Sequence, residues 1–371
     1  MIYLDNAATS FPKPRRVIRE LLKCVKEYCG NPGRSAHELS IKSSEKIYET
    51  RCALASLLNF PSPENIVFTL NASYALNLAI KTTVPKNSHV IISDIEHNSV
   101  VRPLEGLRKA GVEYSAFKAN EAREKDIEAL IRDNTSCIIV NNISNVTGEE
   151  NPLETLYKIK QKYNIKLILD ASQSIGHRKF DLENAKVDVL CAPSHKALFG
   201  IQGAGFAVFC DGLSRDSFIE GGSGSESMNP RMPNALPEHF EAGTLPTPAI
   251  ASLCEGINFI LETGIEEIEK RLNFYTDELR ERLASIKGVK ICGANNGIIS
   301  FVHEKLPPYV IASELNSLGI AVRSGFHCAP FIHKRLGTEN GGTVRASISY
   351  LNQKSELDAF YKALKTKLFV S

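Results

Sequence analysis

The sequence predicts an α/β protein, with a large domain on a mostly parallel sheet and a smaller α/β domain towards the C-terminal end. Three observations carry this. Short apolar runs alternate with segments of helical period, the pattern of strands buried on both faces between helices. The length, 371 residues, suits two domains at roughly 150 residues each. The alternation loosens between Gly221 and Pro248, where Gly, Ser, Pro and Asn concentrate, and then resumes.

Taken in order, Met1-Ile2-Tyr3-Leu4-Asp5-Asn6 reads as a strand or loop entry rather than a signal peptide. Helical period covers Pro14 to Tyr28 and Ser40 to Leu58. Asn65 to Thr69 is a short strand, and a helix follows through Tyr74 to Ile80. His89 to Ser93 is a strand, Val101 to Ala110 a helix, and Cys137 to Val140 a strand. The helix from Leu153 to Tyr163 leads into the strand Leu167-Ile168-Leu169; Val187 to Ala192 and Gly205 to Phe209 add two more. The stretch from Gly221 to Pro248 is expected to be a functional loop, since structureless loops of such length are otherwise uncommon. Helices from Pro248 to Thr263 and Ile265 to Ile286 come next. Strands at Gly297 to Phe301 and Thr343 to Ser347, with a last helix from Lys354, complete the smaller unit. The expected division is 15–250 for the large domain and 251–371 for the small one, which also takes in residues 1–14. Internal repeats and low-complexity tracts are not seen.

Composition excludes several classes. Apolar residues make up 43% and charged residues 23%, ordinary for a globular protein. A formal net charge of +2 without a Lys/Arg block argues against nucleic acid or an anionic membrane as partner. No apolar run approaches the roughly 18 residues of a membrane span. The nine cysteines are scattered, without CxxC spacing or a zinc pattern. They are expected to be reduced and mostly buried, which points to the cytoplasm.

Chemistry gathers at strand ends. The strand Leu167-Ile168-Leu169 ends in Asp170-Ala171-Ser172-Gln173, and Ser194-His195-Lys196 follows the next strand. An acid at one strand end and a lysine beyond the next suit pyridoxal phosphate: the lysine forms a Schiff base, and the carboxylate keeps the pyridine nitrogen protonated. Thr69-Leu70-Asn71-Ala72-Ser73 joins a strand to a helix, where backbone N–H groups favour an anion; an ordinary N-cap by Asn71 or Ser73 is the other reading. His97 follows Ser93 at a strand's carboxyl end, placed to stack on a flat ligand or to lie in a surface loop. Asn145, past the strand ending at Val140, falls on the same expected face. Cys328 is either a nucleophile, with Arg323 and His327 as cationic neighbours in sequence, or a buried structural thiol. His327, Cys328 and His333 lack a fourth ligand at usable spacing, so no metal site is expected.

Several motifs stand in a fixed order along the whole chain. They are Leu4-Asp5-Asn6-Ala7-Ala8-Thr9, Asn31-Pro32-Gly33-Arg34, Glu96-His97, Ser144 to Gly148, Asp170 to Gln173, Ser194 to Lys196, Glu241-Ala242-Gly243-Thr244, Arg323 to Pro330 and Gly342 to Ser347. In this order they resemble the class V, fold-type I pyridoxal phosphate enzymes related to cysteine desulfurases. The short segment around Cys328 is similar to the SufS and selenocysteine-lyase branch. The resemblance implies a homodimer that converts L-cysteine to L-alanine and passes the sulfur through a persulfide on Cys328 to an acceptor protein. It implies that Lys196 binds the cofactor and moves the Cα proton, Asp170 pairs with the pyridinium, Gln173 meets the ring hydroxyl and His97 stacks on the ring. Ala72, Ser73 and His195 would hold the phosphate, and Thr244 would reach the phosphate of the other subunit. Asn145, Arg345, Arg323 and His37 would bind substrate. A guanidinium fork suits its carboxylate, and a surface salt bridge is the other reading of Arg345. Selenocysteine lysis or another β-elimination, and a non-catalytic regulatory protein that binds the cofactor, are the alternatives. The chain departs from the family's pattern at Pro193, Tyr74 and Phe326, and after the lysine at Ala197 to Ile201. Ser194 is expected to replace a phosphate-binding hydroxyl missing at position 193.

Overall fold

The computed structural model describes residues 1–33, 35–210 and 216–369. Arg34, part of one quoted motif, lies outside them. The chain enters on a two-residue strand, Ile2–Tyr3 (β1). The main sheet then takes Ile66–Thr69 (β2), His89–Ser93 (β3), Glu113–Phe117 (β4), Thr135–Asn141 (β5), Lys166–Asp170 (β6), Val189–Pro193 (β7) and Gly205–Phe209 (β8). Their order across the sheet is β2-β8-β7-β6-β5-β3-β4. All neighbours from β7 to β4 are parallel, and β8 runs antiparallel to both β7 and β2.

The strands form because their side chains find apolar surface on both faces. Ile91, Ile138, Val140, Leu167, Leu169 and Leu190 enter the larger core. Their alternates Val90, Ile92, Cys137, Ile139, Ile168 and Val189 enter a second core on the opposite face. Each such aliphatic side chain contributes about 1.5–3 kcal/mol by leaving water. The edge strand β4, Glu-Tyr-Ser-Ala-Phe, was not expected, because its polar, half-exposed residues lack the apolar run that marks the inner strands.

A second sheet, order β12-β13-β10-β9, is built from Val289–Asn295 (β9), Ile298–His303 (β10), Arg323–Gly325 (β12) and Thr343–Ser347 (β13), all antiparallel. Ile320–Ala321 (β11) pairs instead with β1, and Leu4 donates to the Ala321 carbonyl. The N-terminal residues are therefore stitched to the C-terminal unit. The helix Thr247–Thr263 packs along the helices Arg15–Lys23 and Glu38–Leu58 beside the main sheet. Helix Pro308–Ser317 and strands β9, β11 and β12 add to the small unit, and their short or mixed polar patterns hid them in the sequence.

The cysteines correct one expectation. Cys24, Cys137, Cys191 and Cys254 are buried, but Cys210 and Cys292 are half-buried and Cys29, Cys52 and Cys328 are exposed. Fewer than half line the core, since several sit on outward helix or loop positions. Among the described residues, no helix is long and apolar enough to cross a membrane.

Candidate active site

The carboxyl ends of β3, β5, β6 and β7 open onto a cavity of about 220 Å³. It brings together Ala72, Ser73, His97, Asn145, Asp170, Gln173, His195, Lys196, Arg323 and Arg345, which the sequence had placed on separate segments. In a sheet of parallel strands this edge is where loops converge, so residues far apart in sequence meet there.

Lys196 stands past the end of β7, and its ammonium makes no hydrogen bond or ion pair among the described residues. Burial pushes its pKa down to about 8; Asp170 opposes this, while Arg345 and Arg323 add to it. Asp170, the last residue of β6, is buried and accepts a bond from the Ser172 N–H (2.9 Å). Because Lys196 binds fewer protons folded than unfolded between pH 8 and its ordinary 10.5, it makes stability rise with pH across that window. Thermal melts of cofactor-free protein are expected to show this slope, and Lys196→Met is expected to flatten it. An identical slope in the variant would place the titration elsewhere.

One corner of the cavity is made for an anion. Asn71 caps the helix Ala72–Thr83, accepting from the Tyr74 N–H, so the N-cap reading of this turn holds. Ala72 and Ser73 nevertheless line the cavity at the helix N-terminus, where unpaired N–H groups and the dipole favour negative charge. Gly205 lets this turn lie close: a Cβ there would meet the Asn71 carbonyl carbon at 2.5 Å. The Ser73 and Ser99 hydroxyls are 2.6 Å apart, and Ser99 also bonds the His97 ring (2.9 Å). Sequence reading missed Ser99; its place two residues after His97, in the first turn of the next helix, was the available signal. His97 is thus no surface loop residue: it caps the helix Asn98–Leu107, and burial, then Lys196, hold it down to about 4. His195 is likewise held down to about 4, foremost by burial, and its Nδ1 is buried without a partner.

Ser194 corrects an expectation. It is fully buried, and its hydroxyl donates to the Ile201 carbonyl. The turn after Lys196 folds back on β7 and takes Ser194 with it, so Ser194 does not face the cavity.

The opposite wall is cationic. Arg345 on β13 is 1% exposed, donates to the Asn145 carbonyl (2.8 Å) and pairs with Asp5 (2.9 Å). It is therefore not a surface salt bridge. Its register partner on β12 is Arg323, so two guanidinium groups share this wall. Asp5 balances one of the two charges and no carboxylate pairs with Arg323 among the described residues, so the wall keeps a positive charge that favours an anionic ligand. Asn145 donates to the His327 carbonyl (2.6 Å), while its Oδ1 and the Arg345 Nε are buried and unpartnered.

Cys328 lies at the rim, outside the lining, with its Sγ 3.9 Å from Arg323. It is exposed, which excludes the buried structural thiol. His327 and Cys328 both adopt left-handed backbone, φ +48° and +58°. Such conformations cost roughly 1–2 kcal/mol per residue in L-amino acids. Asn145 on the His327 carbonyl, Asn98 on the Cys328 carbonyl and Thr343 on the His327 ring hold them there. His327 is no cationic neighbour for the thiol, because burial drives its pKa down to about 2. His37 and Thr244 are exposed and outside the cavity. The loop before Thr244 is pinned by buried Glu241, which accepts from Arg51 and from the Phe68 N–H (both 2.6 Å). Gly243 and Gly33 border one shared surface hollow, so these two motifs lie together, apart from Lys196.

The residues fit pyridoxal phosphate. Asp170 and Gln173 suit the ring, and Lys196 the aldehyde. The partnerless His195 Nδ1, with the helix N-terminus, suits the phosphate. A lysine and a carboxylate thus line one cavity at the carboxyl edge of a largely parallel sheet, the place where α/β enzymes bind their ligands. A model of the class-V aminotransferases matches residues 2–360. A probable cysteine desulfurase of Methanothermobacter thermautotrophicus is 34% identical over 98% of this chain and 94% of its own length. One of Synechocystis is 30% identical over 99% and 91%. The apo structure of a cysteine desulfurase from Thermococcus onnurineus is 27% identical, covers 98% of this chain and 94% of that one, and superposes with a TM-score of 0.90. The chain belongs to the class-V aminotransferase family, in its cysteine desulfurase branch.

Proposed function

We propose that the protein is a cysteine desulfurase that uses pyridoxal phosphate to convert L-cysteine to L-alanine and takes the sulfur onto Cys328 as a persulfide. The observation that carries this is the meeting of Lys196, Asp170 and the Arg345–Arg323 pair in one cavity, with Cys328 beside Arg323 at its rim. Bound at Lys196, the cofactor supplies an electron sink for the substrate Cα. Arg345, whose Nε–H is buried and unpartnered, binds the substrate carboxylate, joined by the Asn145 amide N–H that is not given to the His327 carbonyl, and together they fix the Cα next to Lys196. Lys196, whose pKa lies near 8, takes and returns the Cα proton. Asp170 would keep the ring nitrogen protonated, and His97, held neutral by burial, would stack on the ring. The Cys328 thiolate attacks the substrate sulfur. The S–S bond forms, the Cβ–S bond breaks, its electron pair stays on the carbon, and protonation there gives alanine.

The same reading makes the enzyme a cytoplasmic homodimer. Thr244 and His37 are exposed and absent from their own cavity, which supports their completing the site of a second copy. The exposed rim position of Cys328 supports transfer of the sulfur to an acceptor protein. Supplying L-cysteine and measuring alanine and sulfide tests the activity; no alanine from protein loaded with cofactor would refute it.

Asp170→Asn is expected to retain cofactor but to lower kcat by about a hundredfold or more, as removal of one preorganised electrostatic partner does elsewhere. A full rate with saturating cofactor would remove Asp170 from this role.

A further inference from the structure

Lys13 is a half-buried cation that the chemistry above leaves unused. Burial pushes its ammonium down to about 8, and no carboxylate pairs with it among the described residues. A cation removed from water without a counter-charge is costly, so its acceptors are informative. Its Nζ donates to the Ser10 hydroxyl (2.8 Å) and to the His195 carbonyl (2.9 Å). Ser10 Oγ in turn donates to the Lys196 carbonyl (2.8 Å). The Thr9 hydroxyl and the Ser10 N–H also reach the His195 carbonyl, each at 3.0 Å. Donors from Thr9, Ser10 and Lys13 thus converge on two successive carbonyls, those of His195 and Lys196, more than 180 residues away in sequence.

We propose that Lys13 is a positioning residue for Lys196, fixing through Ser10 and the His195 carbonyl the backbone from which the Lys196 side chain extends. A tilt of this peptide is carried along the flexible four-carbon stem to Nζ. Small misplacements of a reacting atom have large effects on bond formation. Charge matters here as well as shape, because hydrogen bonds from an ionised donor are about twice as strong as neutral ones. The proposal rests on the reading of Lys196 as the cofactor lysine.

The test compares two ligands on cofactor-free wild type, Lys13→Met and Ser10→Ala. Pyridoxal phosphate can be captured covalently by Lys196, which visible absorbance reports. Pyridoxine 5′-phosphate has a hydroxymethyl group in place of the aldehyde and binds without capture, which calorimetry reports. Lys13→Met is expected to weaken covalent capture by about tenfold or more, the loss of one charge-assisted hydrogen bond, with pyridoxine 5′-phosphate affinity unchanged. A residue that merely anchored the N-terminal segment would change both ligands together, and that result overturns the proposal, as does no change in either. If Lys13→Met does not fold, Ser10→Ala decides: it removes the bridging hydroxyl and leaves the charge, and the same selective loss is required of it. Wild type that fails to capture pyridoxal phosphate would sink the cofactor reading itself. Wild-type capture with equal capture by both variants would sink the clamp alone.

Discussion

Lys196→Ala is expected to abolish covalent capture of pyridoxal phosphate and all cysteine turnover. Two losses combine: the amine that anchors the cofactor and the base that moves the Cα proton. The proton-transfer role alone is worth about 10²–10⁴-fold, so the variant should fall to the background of the assay. The fold should survive, because the mutation removes an ammonium that burial already disfavours. Circular dichroism and a thermal melt check the fold, and alanine formation checks the rate. Normal turnover by a correctly folded Lys196→Ala would mean that the cavity's chemistry runs through another group.

Cys328→Ser should be nearly as severe for cysteine and much milder for cofactor binding. The hydroxyl keeps the shape of the exposed rim residue but cannot take up a sulfur atom, so desulfuration should fall to background. The cavity itself is untouched, since Cys328 is not part of its lining. Cofactor capture and substrate binding should therefore remain at wild-type level. Selenocysteine is the informative comparison, because its weaker carbon–selenium bond lessens the need for a nucleophile and partial lysis should persist. In the wild type, a brief pulse of L-cysteine followed by peptide mass spectrometry should place a persulfide on the Cys328 peptide. Cys29 and Cys52 are also exposed and serve as internal controls. A persulfide on those peptides alone, or normal cysteine turnover by the variant, would make Cys328 a bystander and overturn the sulfur-transfer mechanism.

Much of the architecture was legible because inner strands of a parallel sheet must be apolar on both faces. His89–Ser93, Lys166–Asp170 and Gly205–Phe209 show this, and each appears where its apolar run stands. The direction of β8 was not legible, since a buried apolar run reads the same whether it pairs parallel or antiparallel. The edge strand β4 escaped for the opposite reason: with one side exposed, it has no continuous apolar run to betray it. At the site, Asp170, Lys196 and His97 could be picked out because each ends or follows a recognisable strand. Ser99 was passed over despite its place just after His97, because a serine in a first helical turn ordinarily serves as a local hydrogen-bonding partner.

What the sequence by itself determined is local: which segments become strands and helices, and which reactive residues sit at their ends. Side-chain period and the residue types at strand ends are properties of a few adjacent residues, so they survive without knowledge of the rest. Tertiary structure alone decided which way those residues point and what they meet. It set Ser194 against Ile201 and away from the cavity, and it buried Arg345 against Asp5, 340 residues distant. It held His327 and Cys328 in left-handed backbone and laid Lys13 under the His195 carbonyl. Apart from the Ser194–Ile201 contact, which closes within one turn of the chain, each of these depends on a hydrogen bond or ion pair between distant segments, and such contacts form only when the two sheets and the N-terminal residues pack together.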